Sequence, residues 1–227
     1  MTFQPGAWAR QIAMSSAVAG MIVFPTVSDS SSYIHNDIPD QAAITRLADV
    51  KKVYAELAPK MFAKAEPPEI IRVSEMIVDE SQRLGIDKLF IIAIIESESN
   101  FDIEAVSPTG ARGLMQIMPG TFREVSNAKR MFDPIENVRA GIRYVAKLYG
   151  LGFKSPEYVL LAYNQGPKVA ISVAKKEIEM PEEAAGYVPV VMKRYYALLT
   201  KDGKSPKNAR KLFAMAPPQP KTASVVR

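Results

Sequence analysis

Asp87-Lys88-Leu89-Phe90-Ile91-Ile92-Ala93-Ile94-Ile95-Glu96-Ser97-Glu98-Ser99-Asn100-Phe101 is the stretch on which the reading of this chain turns. Seven apolar residues in succession, Leu89 to Ile95, leave no polar face. A helix that is apolar all round belongs inside a core, while the β-branched content also suits a buried strand. The neighbours decide for the helix. Every flanking segment has a 3.6-residue period, and no alternating stretch or hairpin signal is available to pair with a strand. The run then ends in two carboxylates, Glu96 and Glu98. Burial and the negative end of the helix dipole both raise the pKa of a carboxylic acid placed there. A glutamic acid that stays protonated near neutral pH is what a general acid needs.

Working outward, Asp40 caps a helix over 40–65, with Ile44, Leu47, Val50, Val53, Tyr54 and Leu57 at helical spacing. Pro59 kinks or ends it, and Pro67-Pro68 reads as a hinge or boundary. Glu69 to Leu84 forms the next helix, stopped by Gly85, and Asp87 caps the apolar one. A loop spans Ser99 to Gly110. A short helix is expected around Leu114 to Met118, ending at Pro119-Gly120, with another from Thr121. Pro134 opens a helix to Tyr149, and Ser155-Pro156 one to Asn164. Gly166-Pro167 separates a further helix, and Pro181 opens the last, to Thr200. The fold class is all-α: a multi-helix domain of about 130 residues with few or no strands.

Composition narrows the function. The chain has 227 residues, 48% hydrophobic and 23% charged, the balance of an ordinary globular protein. Zero cysteines exclude a disulfide framework, a thiolate nucleophile, cysteine-type metal sites and a lipidated N-terminal cysteine. The one histidine, His35, lies in a polar stretch, so no histidine-rich metal cluster is expected. Neither a metal nor a cofactor is implied. The net charge of +5 is localised. Residues 201–227 hold seven bases (Lys201, Lys204, Lys207, Arg210, Lys211, Lys221, Arg227) and one acid, Asp202. The other 200 residues carry 22 basic and 23 acidic groups. The tail therefore reads as a disordered basic end, suited to weak contact with anionic polymers or membrane headgroups. The near-neutral body argues against specific nucleic-acid binding. Ile12 to Phe24 is uncharged, preceded by Arg10, and has the size of a signal-peptide core, with cleavage expected after Thr26-Val27-Ser28. The competing reading is an ordinary apolar helix.

Four further motifs follow the glutamates in order. They are Ser107-Pro108-Thr109-Gly110-Ala111-Arg112-Gly113-Leu114-Met115-Gln116, Asn137-Val138-Arg139-Ala140-Gly141, Ala162-Tyr163-Asn164-Gln165-Gly166, and Glu183-Ala184-Ala185-Gly186-Tyr187-Val188. With Glu98-Ser99-Asn100-Phe101 they resemble the catalytic domain of the soluble lytic transglycosylases, the SLT family, which has a lysozyme-like fold. The resemblance covers about residues 69–200. It fixes the register, because Glu98, not Glu96, has serine next and phenylalanine third, and stands nine residues before Ser107 and eighteen before Gln116. Glu96, about 200° around the helix, is expected to face solvent or a neighbouring base. Gln165, Ala184 and Ile103 depart from the family pattern, where alanine, threonine and often proline stand.

The resemblance implies a lytic transglycosylase acting on peptidoglycan glycan strands with one carboxylate. Glu98 protonates the oxygen between N-acetylmuramic acid and N-acetylglucosamine. Ionised, it then takes the proton of the sugar's own 6-hydroxyl to close a 1,6-anhydro ring. The implied substrate-binding residues are Ser107 (acetamido group or 6-hydroxyl), Gly113 (close approach of sugar to backbone) and Met115 (a soft surface for a sugar ring). The others are Gln116, Asn164, Tyr163 (hydroxyl to Glu98) and Tyr187 (a stacking wall). The implied division is a signal peptide or anchor at 1–28, a helical extension at 29–66, a lysozyme-like catalytic domain at 67–200 and a basic tail at 201–227. A monomer exported to the periplasm or cell envelope is expected, with a phage virion as the alternative. Wall turnover and secretion, conjugation or phage machinery all remain open as contexts. A hydrolytic lysozyme and a non-catalytic peptidoglycan-binding protein are the rival functions.

Overall fold

The structure, a computed structural model, describes residues 40–208. The apolar run at 12–24, the expected cleavage site before Asp29, His35 and the chain beyond 208 lie outside the described residues. Eight α-helices follow in order: α1 (Gln41–Met61), α2 (Pro67–Leu84), α3 (Lys88–Ser99), α4 (Pro119–Val125), α5 (Pro134–Gly150), α6 (Pro156–Gln165), α7 (Pro167–Ala174) and α8 (Glu182–Lys201). A 3₁₀ turn, Pro206–Asn208, follows. No strand occurs among the described residues, only isolated bridges from Arg112 to Val106 and Ile117.

The helix starts are set by short polar side chains. Asp40 accepts from Ala43 N at 2.7 Å, Asp87 from Leu89 N at 2.9 Å, Asp133 from Ile135 N and Glu136 N at 3.1 Å, and Ser155 from Tyr158 N at 3.3 Å. Pro67 and Pro68 occupy the first turn of α2 and do not form a hinge. The first turn lacks intrahelical acceptors, so a missing N–H costs nothing there. Gly85 ends α2 at φ 66°, and the following Ile86 N–H returns to Ser81 O at 2.9 Å.

α3 is the centre of the molecule, with Leu89 to Ile95 all buried. Phe90 meets Tyr195 of α8 edge-on at 5.3 Å, and the Tyr195 hydroxyl donates to Asp87 Oδ2 at 2.9 Å. α5 joins α2 through Glu80, which is buried. Glu80 accepts from Arg83 Nε and Arg143 Nε, each at 2.8 Å. The two guanidiniums outweigh burial, and the carboxyl stays below its usual range.

α1 shares this core. Val50, Val53, Leu57 and Met61 are buried in the same cluster as Ile70, Val73 and Ile91. The boundary expected at 66–67 therefore runs between elements that pack on one another, and residues 40–208 hold together as one unit. The expected tail also starts as part of the fold. Asp202 accepts from Lys52 at 2.7 Å and pairs with Lys204 at 3.0 Å, and Lys201 pairs with Glu56.

The expected short helix at Leu114–Met118 is instead a turn. Arg112 and Ile117 exchange backbone hydrogen bonds of 3.1 Å in both directions, and Gln116 takes φ 45°. The helix begins at Pro119, where one was expected to stop. A proline is a good first residue and a poor last one.

Candidate active site

Glu98 occupies the last turn of α3, where the buried helix surfaces. The helix stops abruptly. Asn100 and Phe101 both adopt left-handed backbone, at φ 48° and 65°, and Phe101 is buried. For a bulky residue this conformation costs about 1–2 kcal/mol, so surrounding contacts must hold it. Burial pushes the Glu98 carboxyl up to about 7, and the nearby Glu183 carboxylate adds to the rise. The Tyr187 hydroxyl donates to Glu98 Oε1 at 2.6 Å and pulls the other way. The net result is an acid half-ionised near neutral pH.

Glu96, two residues earlier, faces elsewhere. It is ion-paired with Lys60 of α1 and Arg194 of α8. The expected neighbouring base is thus present twice. Asp102 and Glu104 are held by Lys64, Asp102 at 2.7 Å and Glu104 at 3.7 Å.

The turn at 112–118 packs beside the helix end. Ser99 Oγ donates to Leu114 O at 2.8 Å. Asn137, a fully buried polar side chain at the start of α5, is its anchor. Asn137 Oδ1 accepts from Met115 N at 2.8 Å, and Nδ2 donates to Arg112 O at 2.8 Å and Met131 O at 2.9 Å. A Cβ on Gly113 would lie 2.5 Å from Asn137 Nδ2, and Gly113 has φ 73°. Glycine here is demanded by the Asn137 clasp and the backbone turn, whatever sugar does. Gln116 Nε2 donates to Ala105 O at 3.0 Å and Gly113 O at 2.9 Å, which ties the turn to the preceding loop. Ser107 Oγ accepts from Ala111 N at 2.9 Å and lies 2.9 Å from Thr109 Oγ1.

Two expected roles are exchanged and one is lost. Tyr163 was expected to reach Glu98, but its hydroxyl donates to Met115 O at 2.7 Å. Tyr187, expected as a stacking wall, is the residue that bonds Glu98. Both phenols remain close enough to feel the Glu98 charge, and burial together with that charge keeps them protonated. Met115 offers no surface to a sugar, because it is fully buried with its sulfur filling the space a side chain on Gly141 would take. Met118, on the same turn, is 43% exposed. Asn164 Nδ2 donates to Glu183 Oε1 at 3.3 Å and so steadies the acid that biases Glu98. Glu98, Tyr163, Asn164, Glu183 and Tyr187 are thereby gathered in one place, and Gly113, Met115 and Gln116 form the turn beside it. The roles of Asn137 and Glu183 were not read from sequence. A lone amide on the apolar face of α5, just after a Pro start, was the available signal for the first.

The chain is similar in sequence and fold to known proteins. The family model described as Transglycosylase SLT domain matches residues 75–184. Membrane-bound lytic murein transglycosylase C of Mannheimia succiniciproducens is 34% identical over 116 residues, which are 44% of this chain and 32% of that protein. The protein of the same name from Pectobacterium atrosepticum is 36% identical over 104 residues, 38% of this chain and 29% of that protein. This chain therefore spans about a third of the length of these relatives. Among solved structures, an inactive mutant of the lytic transglycosylase Slt from Pseudomonas aeruginosa superposes with a TM-score of 0.53. It shares 23% identity and covers 70% of this chain and 31% of its own. The 70 kDa soluble lytic transglycosylase of Escherichia coli gives the same score at 20% identity, over 71% and 31%. Those similarities carry the fold, which is all-α and lysozyme-like. Residues 75–184 of this chain match the transglycosylase SLT domain model.

Proposed function

We propose that this protein is a peptidoglycan lytic transglycosylase in which Glu98 serves first as acid and then as base. The observation that carries the reading is the state of Glu98: a carboxyl with a pKa near 7 at the mouth of a buried helix, one oxygen held by Tyr187. With Oε1 accepting from the phenol, Oε2 is the oxygen that presents the proton to a glycosidic oxygen. After transfer, the Tyr187 hydroxyl stabilises the new carboxylate. The same carboxylate then removes the proton of the muramic acid 6-hydroxyl, whose oxygen attacks the sugar's C1. The glycosidic bond is exchanged for an intramolecular ether, and water is not consumed.

The remaining carboxylates support a single-acid scheme. Glu96 is committed to Lys60 and Arg194, and Asp102 to Lys64. Glu183 accepts from Asn164 Nδ2 at 3.3 Å and acts on Glu98 through its charge. Mechanisms with a nucleophile or a base-activated water need a second free carboxylate opposite the acid. Gln116, Asn164 and the loop around Ser107 are assigned to substrate, and Gly113 and Met115 to the shape of the turn that carries Gln116. The envelope is the proposed place of work, since the substrate is there and the relatives are named membrane-bound murein enzymes. No helix among the described residues is long and apolar enough to cross a membrane.

Mass spectrometry of products released from purified sacculi tests this. Anhydromuropeptides, one water lighter than hydrolysed ones, are expected. Hydrated products would make the protein a lysozyme, and no products at all a binding protein.

A further inference from the structure

α1 lies outside the matched segment 75–184, yet its last turn reaches the end of the catalytic helix. Lys60 pairs with Glu96 and places its ammonium over the Phe101 ring, 4.6 Å from the centroid. Lys64, four residues on, pairs with Asp102 at 2.7 Å and with Glu104 at 3.7 Å. Asp102 Oδ1 in turn accepts from Glu104 N at 2.9 Å. Lys60 thus grips the last turn of α3 and the Phe101 ring, and Lys64 the residue immediately after the left-handed pair Asn100–Phe101. Asparagine tolerates the left-handed backbone at Asn100, but phenylalanine at Phe101 is strained there, so outside contacts must hold it. The turn is what stops α3 directly after Glu98 and Ser99, and so sets where Glu98 points.

We infer that Lys60 and Lys64 form a positioning clamp, through which the end of α1 holds the Asn100–Phe101 turn and thereby the Glu98 carboxyl in its working orientation. The inference rests on the reading of Glu98 as the catalytic acid. Because half-exposed ion pairs add little to global stability, the clamp affects geometry more than folding.

The test is the full chain with Lys60→Met and Lys64→Met together, which keeps the apolar stems and removes the charges. Two measurements are made: turnover on peptide-free glycan strands, and amide exchange at Asn100 to Asp102. The expected result is a roughly tenfold fall in kcat with KM within twofold, and at least tenfold faster exchange confined to that turn. Lys60→Arg with Lys64→Arg should keep both near the wild-type values. Asn100→Gly in the double-Met background should recover part of the lost turnover, because glycine adopts φ 48° without strain. Lys64→Met alone, which retains the Lys60–Glu96 pair, should show the same changes at smaller size and serves if the double variant does not fold. Unchanged exchange at residues 100–102 overturns the clamp, as does wild-type kcat in the double variant. If the wild-type chain releases no product, the functional reading falls instead, and the exchange measurement still decides the clamp.

Discussion

Two faces of one helix end carry the same residue type and opposite chemistry. On one face of α3, Glu96 is clasped between Lys60 and Arg194, bases from helices at either end of the described chain. On the other, Glu98 meets a phenol, a second phenol beyond it and the charge of Glu183, with no base in contact. The difference is one of surroundings alone: a carboxyl given cations is held as a structural tie, while one given burial and a hydrogen-bond donor keeps a transferable proton. A perturbed acid is a functional pointer only after its partners have been counted.

The comparison is broken most directly by Glu98→Gln. The shape persists and the proton does not, so cleavage of sacculi should fall by about two to four orders of magnitude, read by release of soluble fragments. If Glu96→Gln has that effect instead, the two faces have been interchanged.

Tyr187→Phe is the next largest. The phenol favours the ionised acid, so its removal raises the Glu98 pKa further. For the wild type, kcat/KM should decline tenfold per unit above pH about 7, as the acid loses its proton. In the variant this alkaline limb should move to higher pH, with a loss of about tenfold on its plateau. A limb that stays in place or moves down would show that Tyr187 does not bond the reacting acid.

Stability sharpens the contrast. The unfolded chain loses the Glu98 proton near 4.5 and the folded chain near 7. Between those values the native state binds more protons, so stability falls as pH rises and the full penalty is present above 7. Glu98→Gln has no such proton to hold and should be the more stable protein at pH 8, by at most about 3 kcal/mol, with the gap closing below pH 4.5. Thermal melts at pH 4 and 8 measure it.

The smallest effect is expected of Glu96→Gln. Turnover should stay within a few-fold, because Lys64 still holds Asp102, and urea unfolding should show a loss of at most about 1 kcal/mol, because Arg194 keeps Glu56 at 3.2 Å as a second partner.

Much of this arrangement was legible in the chain itself, and the reasons are local. Asp40, Asp87, Asp133 and Ser155 start helices through bonds to backbone two or three residues away, which no distant residue can override. The all-round apolar run of α3 could only be a core element. The register of Glu98 against Glu96 followed from the resemblance to the SLT family pattern. What failed were questions of direction settled by tertiary placement. Tyr163 and Tyr187 both border the site, and which one reaches Glu98 depends on how α6 and α8 are set beside α3. Met115 is buried because Gly141, on another helix, leaves room for its sulfur. The helix expected at Leu114–Met118 is a turn because the Asn137 amide, 22 residues away, captures the Met115 N–H.

The spans of these bonds also say when the molecule becomes competent. Tyr187 reaches back 89 residues to Glu98, Arg194 reaches 138 to Glu56, and Asp202 reaches 150 to Lys52. α1 precedes the other described helices, but its partners Arg194, Lys201 and Asp202 are among the last residues of the described chain. During synthesis, then, neither the first helix nor the acid can take its final surroundings until nearly the whole domain has emerged. Such distant closures make folding slow relative to a bundle of local hairpins. Prematurely ended chains lack the phenol, the Glu183 charge and the tie to Glu56 together. On the proposed reading of Glu98, the acid therefore lacks its working surroundings until the last described helix docks.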